Sequence, residues 1–268
     1  MLASNGERKA DGAMSAVTVW LPKQYGSWAM LVAPAIAGGL LAGFPWPSWL
    51  LAGAWVVAYL GFMATRGVLA GRQRRQYSVA AGVYWVVAAV AIGVLLWWRL
   101  ALLWWAIPLA VLLGTSLVMI ATKRERSALN DACLIGASAL MTAISATCWQ
   151  LPDRPSWQGF AQAVNQPTAW LATAVMAAYF WGTIPYVKTL IRERGSRAWY
   201  TASVVYHGVL VVLAFLTMHV WLLVFACLTL TRAAVVPRRW PRVKPKYVGI
   251  GEIVGTVGIV LIVWLTLG

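Results

Sequence analysis

Apolar residues in this chain come in blocks. Runs of about 18 residues or more, the length a helix needs to cross a roughly 30 Å hydrocarbon core, are separated by short stretches rich in Pro, Gly, Trp and basic residues. The blocks lie at about 28–44, 48–64, 79–97, 101–120, 130–149, 169–187, 201–217, 219–236 and 248–267. In lipid, backbone N–H and C=O groups must find partners within the segment, so runs this apolar are helices rather than the alternating strands of a barrel. The pattern predicts an all-α, polytopic transmembrane helical bundle of about nine spans.

No low-complexity linker divides the spans, so residues 21–268 read as a single bundle domain. Residues 1–20, MLASNGERKADGAMSAVTVW, have no apolar core and read as a disordered cytoplasmic tail without a cleavable signal peptide. The longest connection, QLPDRPSWQGFAQAVNQP, holds Pro152, Pro155 and Pro167 and leaves room for a short surface helix over Trp157–Val164.

Composition agrees with the blocks. The chain is 61% hydrophobic and 11% charged, with a mean hydropathy of +0.73, whereas soluble domains carry about 25% charged residues. Its net charge of +15 points to nucleic acid only until the charges are placed. Sorted by the nearer end of each span, all but Arg99 and Arg154 of the 22 lysines and arginines fall on one side, with the tail and the loops after spans two, four, six and eight. By the positive-inside rule the amino terminus is cytoplasmic and the carboxyl terminus outside. The basic excess is then a matter of topology: the bilayer is the expected partner and nucleic acid is not. The opposite turns, FPWPSW and LLWWRLALLWW, place Trp46, Trp49, Trp97, Trp98, Trp104 and Trp105 where indoles form an interfacial belt. Cys133, Cys148 and Cys227 show neither CxxC nor His-paired spacing and read as packing residues; no metal site is read and no cofactor is named.

Chemistry is sought among polar residues drawn into the spans, because a charge at span centre costs about 2.5–3.5 kcal/mol on insertion scales. Only 7 residues are acidic, which isolates Asp131 at the start of span five and Glu252 about a turn into span nine. His207 lies about two turns into span seven, with Ser203 four residues earlier on the same face. Lys188 and Arg192, also four apart, continue span six toward the cytoplasm. Structural roles exist for each: Asn130 or Asp131 as a helix cap, Glu252 paired with Lys188, Arg192 or Arg66, His207 in an interhelical hydrogen bond, and Lys23 and Gln24 as interface residues. The functional reading gathers them at one cytoplasm-facing pocket. Lys23, Gln24, Arg66, Arg126, Asn130, Lys188 and Arg192 would bind an anionic ligand, and Asp131, His207 and Glu252 would orient it or move protons.

Five blocks occur in an order that resembles the YwiC-like family of bacterial membrane proteins: PKQYGSWAM, RERSALND, GTIPYVKTLIRERG, the pair Tyr206-His207, and GIGEI. The resemblance implies a multi-pass plasma-membrane protein and carries no established activity. Tyr25 stands where that family often has His, so a catalytic role for that position does not transfer. A broader resemblance is to the bundle of UbiA-type prenyltransferases, whose NDxxDxxxD motifs hold Mg²⁺. Asn130-Asp131 matches the opening of such a motif, but Leu134 and Ser138 occupy the next two acidic positions. Magnesium needs several carboxylates with phosphate oxygens, so standard metal-dependent prenyl transfer is disfavoured. Three classes remain: a protein binding an anionic lipid or prenyl-phosphate-like ligand, which leads; a secondary transporter or exporter; and a non-catalytic scaffold for a membrane enzyme.

Overall fold

The computed structural model describes residues 20–21, 25–71 and 74–268. Among them are ten α-helices and no strand: α1 (Tyr25–Leu41), α2 (Trp46–Leu69), α3 (Arg74–Trp98), α4 (Leu103–Ala121), α5 (Ala128–Thr147), α6 (Trp157–Val164), α7 (Pro167–Leu190), α8 (Arg197–Leu216), α9 (Val220–Arg239) and α10 (Pro245–Leu267). A 3₁₀ turn, Leu100–Leu102, leads into α4, and another, Cys148–Gln150, follows α5. Seven segments are long and apolar enough to cross a membrane: α2, α3, α4 with its turn, α5 with its turn, α8, α9 and α10. This is a multi-pass helical membrane protein. The short helix expected over Trp157–Val164 is α6.

Local chemistry sets the helix ends. Ser127, Ser156 and Ser196 are the N-caps of α5, α6 and α8, each hydroxyl accepting from a backbone N–H three residues on. Proline lies in the first turn of α2, α7 and α10, where its missing N–H costs no hydrogen bond. After α7 the chain reverses through Gly195 at φ +80°, a left-handed conformation that glycine adopts without Cβ strain, and Ser196 then starts α8.

Helix α5 is the hub. Its sequence, ALNDACLIGASALMTAISAT, offers small side chains on every side, and 72% of its membrane window is buried. Small residues let backbones approach in a membrane, where helices gain no hydrophobic drive from leaving lipid. Helix α1 packs so closely on α5 that a Cβ on Gly38 would collide with the Thr142 carbonyl. The Ser138 hydroxyl donates to the Met30 carbonyl across the same interface. Helices α7 and α10 close the other side of this core, where Ala37, Ile135, Met176 and Ile259 meet. Helices α3, α4 and α8 lie outside it, with only 17%, 17% and 11% of their windows buried. Their exposed valines and leucines face where lipid would be.

The two ends of the bundle differ. At one end tryptophans form chains: Trp46 with Trp98 and Trp149, and Trp104 with Trp157 and Phe160. There Arg99 pairs with Asp153 and lies over the Trp98 ring, tying the α3–α4 turn to the loop before α6. The opposite end carries most of the remaining charge, and the candidate site is there.

Candidate functional site

The loop between α4 and α5 is bound into the bundle by its polar residues. Asn130 is buried; its amide donates to the Glu125 carbonyl (2.8 Å) and its oxygen accepts from Ser116 on α4 (2.6 Å). Glu125 in turn receives the Arg66 guanidinium from α2, with Nη2 2.8 Å and Nε 3.2 Å from one carboxylate oxygen. Arg66 is therefore the partner of Glu125, not of Glu252. The cap of α5 is Ser127 rather than Asn130 or Asp131, because its hydroxyl stands at the position that reaches the first free N–H groups. Asp131 is left to act on other helices, and it interacts electrostatically with Lys188 and Arg192 at the end of α7. The Lys188 ammonium also lies 4.6 Å from the centre of the Trp199 ring on α8. Arg192 and Arg126 are exposed at this end.

A second charged group lies deeper, on another side of α7. At about 100° per residue, Tyr186 and Lys188 project some 200° apart. Tyr186 packs under the Arg232 guanidinium of α9, 4.2 Å from ring centre to Cζ. Arg232 Nη1 is 2.9 Å from a Glu252 carboxylate oxygen on α10, with side chains only 20% and 14% exposed. Tyr179 donates to the Glu252 backbone carbonyl (3.4 Å), and its phenol is within hydrogen-bonding reach of Thr256 and Arg232. Gly255 leaves room for that phenol, since a Cβ there would meet Tyr179 Oη at 2.5 Å. Glu252 does join a buried pair as expected, but with Arg232: that guanidinium lies on the facing side of the neighbouring helix, whereas Lys188 points away. Among the described residues, Arg232 Nε and Nη2 have no hydrogen-bond partner.

One level further in is His207, 3% exposed on α8. Its Nδ1 lies 2.8 Å from the Ser203 carbonyl. A carbonyl only accepts, so Nδ1 carries the proton. The ring sits against Gly182 of α7, where a Cβ would come 3.3 Å from Nε2 and 3.0 Å from the Tyr206 ring. Beside it α7, α8, α9 and α10 border a cavity of about 160 Å³, lined by apolar groups together with Tyr179, His207, Thr217 and Thr229.

The structure thus separates the residues that the sequence assigned to one pocket. Asp131 lies within the electrostatic field of Lys188 and Arg192; Asn130 and Arg66 brace the neighbouring loop; Glu252 and His207 belong to the inner group around Arg232. Lys23 and Gln24 lie outside the described residues. Arg232 and the two tyrosines on α7 were not foreseen, although one signal was present: Arg232 is the single charged residue between Val220 and Val236. Among the described residues, no three His, Cys, Asp or Glu side chains gather closely enough to hold a metal ion.

Residues 21–146 match the family model described as YwiC-like protein. Over 238 residues the chain is 29% identical to "Uncharacterized protein YwiC" of Bacillus subtilis (strain 168), covering 87% of this chain and 92% of that one. Over 223 residues it is 26% identical to an "Uncharacterized protein" of Haemophilus influenzae (strain ATCC 51907 / DSM 11121 / KW20 / Rd), covering 82% and 87%. No solved structure matches.

Proposed function

Taking the chain as a YwiC-like multi-pass membrane protein, we propose that it is a nine-span protein of the bacterial plasma membrane that binds an anionic lipid headgroup at the cytoplasmic end of α7. In this reading α1 and α7 also cross, the amino terminus is cytoplasmic, and the Trp-rich end faces outward, as the distribution of Lys and Arg requires. The observation that carries the ligand is a charge imbalance: Lys188 and Arg192 both act on Asp131, yet neither is in any of the ion pairs among the described residues. Trp199 holds the Lys188 ammonium in place, and Arg126 stands exposed on the α4–α5 loop. A phosphate would take charge-assisted bonds from this group, with the planar Arg192 fork suited to two of its oxygens. Asp131 orients the cations. A single carboxylate is too few for a magnesium-diphosphate cradle, so the headgroup is held by the cations directly.

A secondary transporter is the second reading, favoured by the buried Arg232–Glu252 pair with His207 within its field. Weighing against it, α7, α8, α9 and α10 run without a break past these residues, and the space beside His207 is mainly apolar. Transport sites more often use interrupted helices near the midplane.

Native mass spectrometry of the purified protein tests the lipid reading. The wild type should retain an anionic lipid of discrete mass, Lys188→Ala/Arg192→Ala should lose it, and Arg154→Ala at the other end should keep it. A lipid complement unchanged by the double substitution would overturn the assignment.

A further inference from the structure

The geometry points to a second binding site, separate from the cationic end of α7. We propose that the cavity between α7, α8, α9 and α10 takes a neutral, lipid-soluble molecule that presents a hydroxyl donor on a ring of about benzene size to His207 Nε2. Three observations converge on this class. The first is size: the cavity holds about 160 Å³, close to the roughly 150 Å³ of an apolar protein cavity that stays dry and binds benzene. The second is the wall, where Phe225 and Tyr179, with ring centres 5.7 Å apart, offer aromatic surface among leucines and alanines. Such a wall favours a flat apolar guest over water or an ion.

The third is the acceptor. Nδ1 is committed to the Ser203 carbonyl as a donor, so in the neutral ring Nε2 carries the lone pair. Among the described residues no hydrogen bond reaches Nε2, and His207 lines the cavity. The Thr229 hydroxyl already donates to the Ala226 carbonyl, that of Thr217 to the Ala214 carbonyl and that of Tyr179 to the Glu252 carbonyl. His207 is left as the acceptor in want of a proton donor, which a guest hydroxyl supplies and a hydrocarbon does not. The charged groups facing this ring are Arg232 and, through it, Glu252. Their mutual pairing leaves no free charge to welcome an anion, which separates this guest from the lipid headgroup proposed above. Leu213, a lining residue, is itself 52% exposed on the outer face of α8, so the cavity reaches the surface there and admits a guest from the bilayer.

Phenol and toluene, rings of equal size with and without the donor, are the probes. The full-length protein is reconstituted in lipid nanodiscs with ¹⁵N-histidine. The chain has 2 histidines, so His219 serves as an internal reference against bilayer partitioning. Phenol should shift the His207 Nε2 resonance saturably and leave that of His219 in place, with about tenfold tighter binding than toluene for one hydrogen bond gained in an apolar site. Ala178→Phe, which puts a ring into the cavity that Ala178 and His207 both line, should abolish the response to both probes. His207→Phe should reduce phenol to the toluene affinity, measured by displacement of a fluorescent apolar ring. Equal affinity of the two rings for the wild type overturns the hydroxyl-reading role, and a phenol response that survives Ala178→Phe overturns the site.

Discussion

Arg232 and Glu252 are the pair on which residue-scale reasoning turns, because neither is tolerable alone in an apolar bundle. Removing one partner of a buried pair leaves an uncompensated charge, at a cost of about 3–5 kcal/mol, whereas replacing both by apolar groups of similar volume is often neutral. Arg232→Met should therefore lower stability by about 3 kcal/mol, and Arg232→Met/Glu252→Met should restore most of it. Unfolding in mild detergent, followed by tryptophan fluorescence, reads the difference; a double variant as unstable as the single one would show that the pair is not the issue. Which acid meets which base was not legible from the chain. Glu252 had three candidate cations in Lys188, Arg192 and Arg66, and the choice depends on helix rotation, which a nearly all-apolar helix does not encode through an amphipathic pattern. The same holds for Asn130: its side chain reads as a cap, but Ser127 had already taken that role, and this frees the amide for the interior.

Among the elements, legibility was far better. The nine apolar blocks coincide with the nine long helices among the described residues, because block length and backbone self-satisfaction in lipid both demand helix there. The ends were read less well: α2 runs Trp46–Leu69 where 48–64 was expected, because the helix continues past the apolar block through Thr65 and Arg66. The ranking of helices by burial was not foreseen. It follows from side-chain size in α5, and its sharpest contact is that of Gly38 with the Thr142 carbonyl. Gly38→Ala should cost about 1–3 kcal/mol through overpacking, whereas Gly82→Ala on α3, with open space around its Cβ, should cost nothing. Melting temperatures of the two variants decide this; equal behaviour would mean that α1 and α5 can separate freely.

The whole molecule is polarised: basic loops at one end, tryptophan chains with Arg99–Asp153 at the other. If the basic end is cytoplasmic, a cysteine-free version carrying Arg154→Cys should react with an impermeant maleimide on intact cells, and Arg124→Cys should react only after the membrane is opened. The reverse pattern would invert the proposed topology. Burial of α5 has a further consequence, for the order in which the chain is made. The family-matched stretch ends at residue 146, inside α5, yet the core around α5 is completed by Met176 of α7 and Ile259 of α10. A ribosome delivers α5 long before either. Until they arrive, α1 covers Ser138 and Thr142, but the side of α5 around Ile135 that α7 and α10 will close faces lipid or the insertion machinery. The nascent first half is thus a dependent intermediate, and any defect that delays α7 or α10 exposes α5 to quality-control proteases before the bundle can close.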